Sequence, residues 1–242
     1  MSKFSYRVLL PGVPASSTRG SLGWCTVSII EYDNIKILFD TGSYGDRSNL
    51  LHALKQQNIA AEAIDIVFIS HLHYDHCINA ELFPSASILV SERELEYVLT
   101  GEYMQHNDPY VPYSAVAAIK TRLVTCKEGD RIAGGMSVRC LPGHTPGSSG
   151  LYWEEERILF AGDAVKNGWD FTQGKAPPAF HSEMIALKNY SFVKKSVSLV
   201  VPGHDRPFHI RRDGSIEYAA SRLCETITVF SYPHSKIVPI VF

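Results

Sequence analysis

Short apolar runs alternate with turn residues from the start of the chain. "YRVLLPG", "WCTVSIIEY" and "IKILFD" are rich in β-branched and aromatic residues and end on Gly, Tyr or Asp, which predicts strands. "DRSNLLHALKQQN" repeats apolar residues at helical spacing behind an aspartate, which predicts a helix. "IDIVFIS" predicts a buried strand running straight into "HLHYDH", and "ILVSERELEYVLTG" predicts a strand and then a helix closed by Gly101. Residues 102–116, "EYMQHNDPYVPYSAV", read as a long loop. Strands are predicted again in "TRLVTC", "MSVRCLPGH", "SGLYW", "RILFAGD" and "VSLVVPGH", with a helix across "SEMIALKNYSFVKKS" and a last helix in "IEYAASRLCETITVF".

Two segments echo each other. "IKILFDTG", ending at Gly42, resembles "RILFAGD", ending at Asp163, and "IDIVFISHLHYDH" resembles "VSLVVPGHD". Each is an apolar strand, a turn and then metal-type residues, a pattern that internal duplication and ordinary buried strands both produce. No low-complexity linker divides the chain, so the expectation is one domain over 1–242 with two similar halves, roughly 1–116 and 117–242.

Composition narrows the function classes. With 45% hydrophobic and 20% charged residues over 242 positions, the chain has the material for a globular core. A formal net charge of -2 leaves no broad basic field for nucleic acid. "MSKFSYRVLLPG" turns polar too early for a secretory leader, and no run approaches the roughly 20 apolar residues of a membrane span. The expectation is a cytoplasmic protein with a small-molecule substrate and no membrane partner, and a homodimer is compatible with it. Cys25, Cys77, Cys126, Cys140 and Cys224 are scattered without a CxxC, which predicts reduced, mostly buried thiols.

The candidate chemistry sits in "SHLHYDHC", residues 70–77, where three histidines and an aspartate fall within six positions. Imidazole and carboxylate are ligands for zinc and also suit iron and manganese. His71 and His73 share a side of an extended segment, and Asp75 and His76 follow where the chain turns towards a helix at "CINAELF". Four such residues cannot close two metal sites. Partners are available in "LPGHTPGSSG" around His144, "VPGHDRPF" around His204 and "FAGDAV" around Asp163, each just after an apolar strand. His52, His106, His181, His209 and His234 lack that setting.

HLHYDH, PGHTPGS, AGD and PGH, in this order over nearly the whole chain, resemble the metallo-β-lactamase superfamily in its dinuclear hydrolase branch, with glyoxalase II and lactonase-like members. The resemblance implies an α/β fold, the four-layer αββα sandwich. It implies His71, His73 and His144 on a first metal, Asp75, His76 and His204 on a second, Asp163 bridging, and Asp40 of "LFDTG" in support. Two divalent ions follow as cofactors, zinc by preference, with iron or manganese open. β-Lactamases carry Cys or Ser where Asp163 stands. Flavodiiron proteins have Glu in place of His73, and glyoxalase II adds a helical C-terminal domain where only 38 residues follow His204 here. Homoserine lactonases have a Tyr shortly after the bridging Asp, where this chain reads "DAVKNGWDF". The opening "YRVLLPG" and closing "VPGHDRPF" look most like the subgroup around metallo-β-lactamase domain-containing protein 1.

The implied activity is hydrolysis of a small carbonyl ester, lactone or thioester by a metal-bridging hydroxide, with Asp75 and Asp163 as catalytic residues and Asp75 also carrying the proton. A side-chain nucleophile, Ser148, Ser149 or Cys77, is the competing idea. The alternatives are a phosphodiesterase or nuclease on the same centre, a mononuclear iron dioxygenase, and a metal-loaded sensor without turnover. Three segments, "PGVPASSTRGSLGW", "EYMQHNDPYVPY" and "NGWDFTQGKAPPAF", are expected around the metals. They offer Trp24, Tyr103, His106, Tyr110, Tyr113, Trp169, Phe171, Phe180 and His181 as pocket candidates, and Arg19, Lys166, Lys175 and Arg206 as phosphate contacts for the nuclease alternative.

Overall fold

Thirteen strands assort into two large sheets in the computed structural model, which describes residues 4–219, 224–231 and 234–241. β1 (Phe4–Leu10) precedes a small hairpin of β2 (Ser16–Ser17) and β3 (Gly20–Ser21). β4 (Val27–Tyr32), β5 (Ile35–Phe39), β6 (Ile66–Ile69), β7 (Ser87–Ser91) and β8 (Leu123–Cys126) complete the first sheet, in the order β1-β4-β5-β6-β7-β8. From β5 to β8 the strands run parallel, while β1, β4 and β5 are antiparallel neighbours.

The second sheet holds β9 (Arg131–Ala133), β10 (Met136–Cys140), β11 (Ser149–Trp153), β12 (Ile158–Gly162), β13 (Leu199–Pro202), β14 (Phe208–Ile210) and β15 (Ile216–Tyr218), in the order β15-β14-β13-β12-β11-β10-β9. β12 and β13 run parallel, and the other neighbours are antiparallel. The helices are α1 (Arg47–Gln56), α2 (Tyr74–Cys77), α3 (Glu92–Leu99), α4 (Glu102–Gln105), α5 (Tyr113–Ile119), α6 (Gly168–Gln173) and α7 (Glu183–Ser196).

Strand alternation builds the layers. In β6, Val67 and Ile69 face Leu50 and Leu54 of α1, Tyr97 and Val98 of α3 and Val116 of α5 in one buried cluster. Phe68 points the other way, into a cluster shared by both sheets with Phe39, Val138, Leu151 and Phe160. β12 repeats the arrangement, with Ile158 and Phe160 between the sheets and Leu159 and Ala161 outward against Phe171 of α6 and Tyr190 and Val193 of α7. The result is helix, sheet, sheet, helix, the αββα sandwich.

Two sequence expectations are corrected. Residues 102–116 are not a plain loop, because α4 and the start of α5 lie within them. Tyr103 packs onto the core, with its ring 6.5 Å from Tyr97 and 6.3 Å from Tyr113, and this tertiary contact overrides the loop-like composition. "IEYAASRLCETITVF" holds no helix among its described residues. It holds β15 and then β16 (Cys224–Ser231), which pairs antiparallel with β17 (His234–Val241); "TITVF" is dense in β-branched residues, and the eight-pair register outweighs the helical spacing upstream. β8 is the last strand of the first sheet in chain order, and β9 opens the second. No helix among the described residues is long and apolar enough to cross a membrane.

The parallel pairs position the site. Asp40 follows β5, Ser70 and His71 follow β6, Asp163 follows β12, and His204 follows β13. His144 lies in the loop from β10 to β11 and reaches the same edge of the sandwich, where its ring stands 4.8 Å from that of His71.

Candidate metal centre

His71, His73, His76 and His144 each commit one nitrogen to the protein and turn the other inward. His76 Nδ1 bonds Asp40 Oδ2 at 2.8 Å, His73 Nε2 bonds Asp108 Oδ2 at 2.8 Å, and His144 Nδ1 donates to the carbonyl of Pro178. Ser70 Oγ donates to Asp40 Oδ2 at 2.9 Å, so it accepts from His71 Nδ1 at 3.0 Å. A ring nitrogen that donates in this way leaves the other with a free lone pair, as a metal ligand requires. Nε2 of His71, His76 and His204 and Oδ1 of Asp163 are buried and have no hydrogen-bond partner.

Those atoms converge. His71, His73 and His144 form one group of donors, Asp75, His76 and His204 another, and His71, His76 and Asp163 a third; within each, the donor atoms lie within 4.8 Å of one another. His144 Nε2 is 3.1 Å from His73 Nδ1, close to the roughly 3.3 Å between two nitrogens on one tetrahedral zinc. Asp163 spans the groups, with Oδ2 3.5 Å from His144 Nε2 and Oδ1 3.5 Å from His76 Nε2 and 3.3 Å from His204 Nε2. Asp75 Oδ2 is 3.4 Å from His204 Nε2. Two glycines permit this closeness. A Cβ on Gly203 would stand 2.1 Å from Asp163 Oδ1, and one on Gly162, at φ 51°, would meet Ser70 at 2.6 Å.

The electrostatics match the donor set. Burial, with His76 and His73 beside it, drives the His71 pKa well below the usual imidazole value, and burial lowers His144 to about 3, so both are neutral donors. Burial pushes Asp163 up, but His204, Lys166 and His76 outweigh it and hold the carboxyl well below its ordinary range. His76 differs: burial would neutralise it, yet Cys25, Asp40, Asp75 and Asp163 together raise it well above its ordinary value, so an ion bound there takes the place of a proton. Asp75 and Asp163 are buried beside the donors, and Lys166 Nζ is 2.6 Å from Asp163 Oδ2. Divalent ions would offset the charge of these carboxylates, and the orphaned nitrogens are suited to hold them.

Over this centre opens a cavity of about 730 Å³, with His73, Asp75, His144 and Asp163 at its base and Tyr74, Tyr110, Trp169, Phe180, Lys166 and Lys175 among its walls. Sequence comparison agrees with the geometry: the metallo-beta-lactamase superfamily profile matches residues 22–204. The chain belongs to the metallo-beta-lactamase superfamily. It is 30% identical to Metallo-beta-lactamase domain-containing protein 1 of Homo sapiens, over 84% of this chain and 71% of that protein. It is 26% identical to an N-acyl homoserine lactonase of Bacillus sp, over 66% of this chain and 63% of the lactonase. Among solved structures, AidC, described as a dizinc quorum-quenching lactonase in complex with a product, superposes with a TM-score of 0.64 at 16% identity, covering 99% of this chain and 92% of that one.

The seven histidines and aspartates that the superfamily resemblance implied, and Asp40, are brought together here. The pocket candidates divide. Tyr110, Trp169 and Phe180 line the cavity. Phe171 does not, because it turns inward from α6 onto Tyr190 and Phe208, with ring centroids 4.9 and 5.6 Å away. Trp24 lines a separate depression beside Cys25. Tyr103 packs on the core, and His106 and His181 face each other at 6.1 Å outside the cavity lining. Of the four cations, Lys166 and Lys175 reach the cavity, while Arg206 lies over the Tyr218 ring at 3.9 Å.

The nucleophile candidates are engaged elsewhere. Burial pushes the Cys77 thiol up, Ser148 shares a hydrogen bond with Thr145, and the Ser149 hydroxyl donates to the Ser70 carbonyl. Sequence reading missed Glu94 and Asp108. Glu94 had a signal, since it stands three and four residues before Tyr97 and Val98, on the apolar stripe of α3 that faces the core. Asp108, in "NDPY", had none beyond turn chemistry.

Proposed function

We propose that this chain is a metal-dependent hydrolase that cleaves a small carbonyl ester, lactone or thioester. The observation that carries the reading is a carboxylate, Asp163, spanning two histidine-rich donor groups at the base of a cavity walled by Tyr74, Tyr110, Trp169 and Phe180. His71, His73 and His144 would hold one divalent ion and Asp75, His76 and His204 the other, with zinc the ion that this nitrogen-rich set suits best. When bound, such ions activate water at neutral pH and polarise an ester carbonyl.

The residues of the chain supply the rest. Aromatic walls bury the acyl portion and exclude bulk water from the reacting carbonyl. Asp75, kept ionised by His76 and His204 against the effect of its burial, accepts a proton at a carboxylate oxygen and returns it to the departing oxygen or sulfur. Lys166 Nζ, beside Asp163 at the base of the cavity, donates to the negative charge that develops on the substrate oxygen.

Phosphodiester cleavage is the second reading, favoured by Lys166 and Lys175 in the cavity. Against it, Asp75, Asp163, Asp170 and Glu183 line the same space and oppose a phosphate backbone. A panel of lactones, thioesters and aryl esters run beside bis-aryl phosphodiesters and single-stranded RNA decides between them. Turnover of the carbonyl substrates, lost in Asp163→Asn, is expected. RNA cleavage that falls steeply with salt while esters stay intact would overturn the reading, and equal rates for wild type and Asp163→Asn would remove the catalytic assignment.

A further inference from the structure

The loops carrying His71–His73 and His144 come from different sheets, and one buried side chain ties them together. Glu94, in the first turn of α3 and fully buried, accepts from the Leu72 backbone N–H at 2.8 Å through Oε1. Through Oε2 it accepts from the Thr145 hydroxyl at 2.7 Å and the Gly147 N–H at 3.1 Å. Leu72 lies between His71 and His73, and Thr145 adjoins His144, so each oxygen grips a residue next to a donor. Gly147 lies directly on the start of α3, where an added Cβ would come within 2.1 Å of the Glu94 backbone nitrogen. One turn along, the Tyr97 hydroxyl donates at 3.0 Å to Asp108 Oδ2, the oxygen that holds His73 Nε2.

These bonds all run to one donor group. Asp75 and His76 are steadied by other parts of the chain, the first by Cys25, whose thiol donates to the Asp75 carbonyl at 2.8 Å, and the second by Asp40. We propose that Glu94 and Tyr97 of α3 are positioning residues for the three-histidine group His71, His73 and His144, and that they set its metal affinity independently of the Asp75, His76 and His204 group. Glu94 acts on the loop backbones and Tyr97 acts through Asp108. An uncharged side chain of the same length could fill the Glu94 site, but it could not accept from all three donors at once. The proposal rests on the reading of these groups as metal ligands.

The test uses Glu94→Gln and Tyr97→Phe in the full chain, loaded with zinc and titrated with a chromophoric chelator, with thermal unfolding in excess chelator as the check on folding. Wild type is expected to release two ions. In Glu94→Gln one of the two release steps should shift by roughly 10- to 100-fold towards weaker binding while the other stays in place, and Tyr97→Phe should move the same step by less. Tyr97→Phe removes a single hydroxyl, so it carries the test if Glu94→Gln does not fold. Unchanged steps in both variants, or an equal weakening of both steps, would overturn the proposal. Wild type that binds no ions would instead remove the metal reading beneath it.

Discussion

At the scale of single residues, the centre depends on which nitrogen of each histidine the protein occupies, and Asp40 shows how. It holds a left-handed backbone, φ 59°, and takes bonds from the Ser70 N–H, the Ser70 hydroxyl and His76 Nδ1. Asn tolerates the left-handed region and nearly matches Asp in shape, so Asp40→Asn is expected to fold. It presents an amide NH2 donor where a carboxylate oxygen had accepted, which leaves His76 or Ser70 facing a donor. Metal binding should weaken by roughly 10- to 100-fold, measured by chelator competition, and unchanged affinity would show that Asp40 does not tune His76. This level was the most legible in the sequence. The donors sit in short strings whose chemistry is local, whereas Glu94 reaches Leu72 across 22 positions of chain and Asp108 reaches His73 across 35.

At the scale of elements, short apolar runs were readable as strands where both faces are covered, as in β5, β6 and β12. It failed where packing chose the conformation. α4 exists because Tyr103 finds Tyr97 and Tyr113, contacts that composition does not announce. β16 was misread because "IEYAASRLCE" has helical spacing before "TITVF" begins. The layer between the sheets makes the sandwich one cooperative unit, and Phe160 tests that. It is fully buried, 5.4 Å from the Tyr6 ring and 5.7 Å from Phe39, and so joins β12 to both β1 and β5. Phe160→Ala should destabilise the fold by about 3–5 kcal/mol, a fall in Tm of roughly 6–20 °C. A change near zero would mean that the sheets do not depend on this contact.

At the scale of the molecule, the two sheets share a local order: β4, β5, β6 and β11, β12, β13 each run antiparallel and then parallel. Each sheet sends metal-type residues from the ends of its parallel strands to a common edge. Such convergence has a cost in stability. Asp75 and Asp163 lie within 3.9 Å of His76 Nε2, both carboxylates are buried, and Nε2 of His71, His76 and His204 have no partner of their own. Like charges and orphaned lone pairs held together without water destabilise the folded state, so a ligand that neutralises them should stabilise it. Zinc bound at 100 times its Kd would add about 2.7 kcal/mol, or roughly 5–10 °C in Tm, and more at higher excess. The expected result is a Tm that rises with zinc or manganese, falls with chelator, and hardly responds to magnesium, which prefers oxygen ligands and keeps its water. Equal stabilisation by magnesium would point to the carboxylates alone. A Tm indifferent to every ion would contradict the charge argument and, with it, the assignment of these residues as a metal centre.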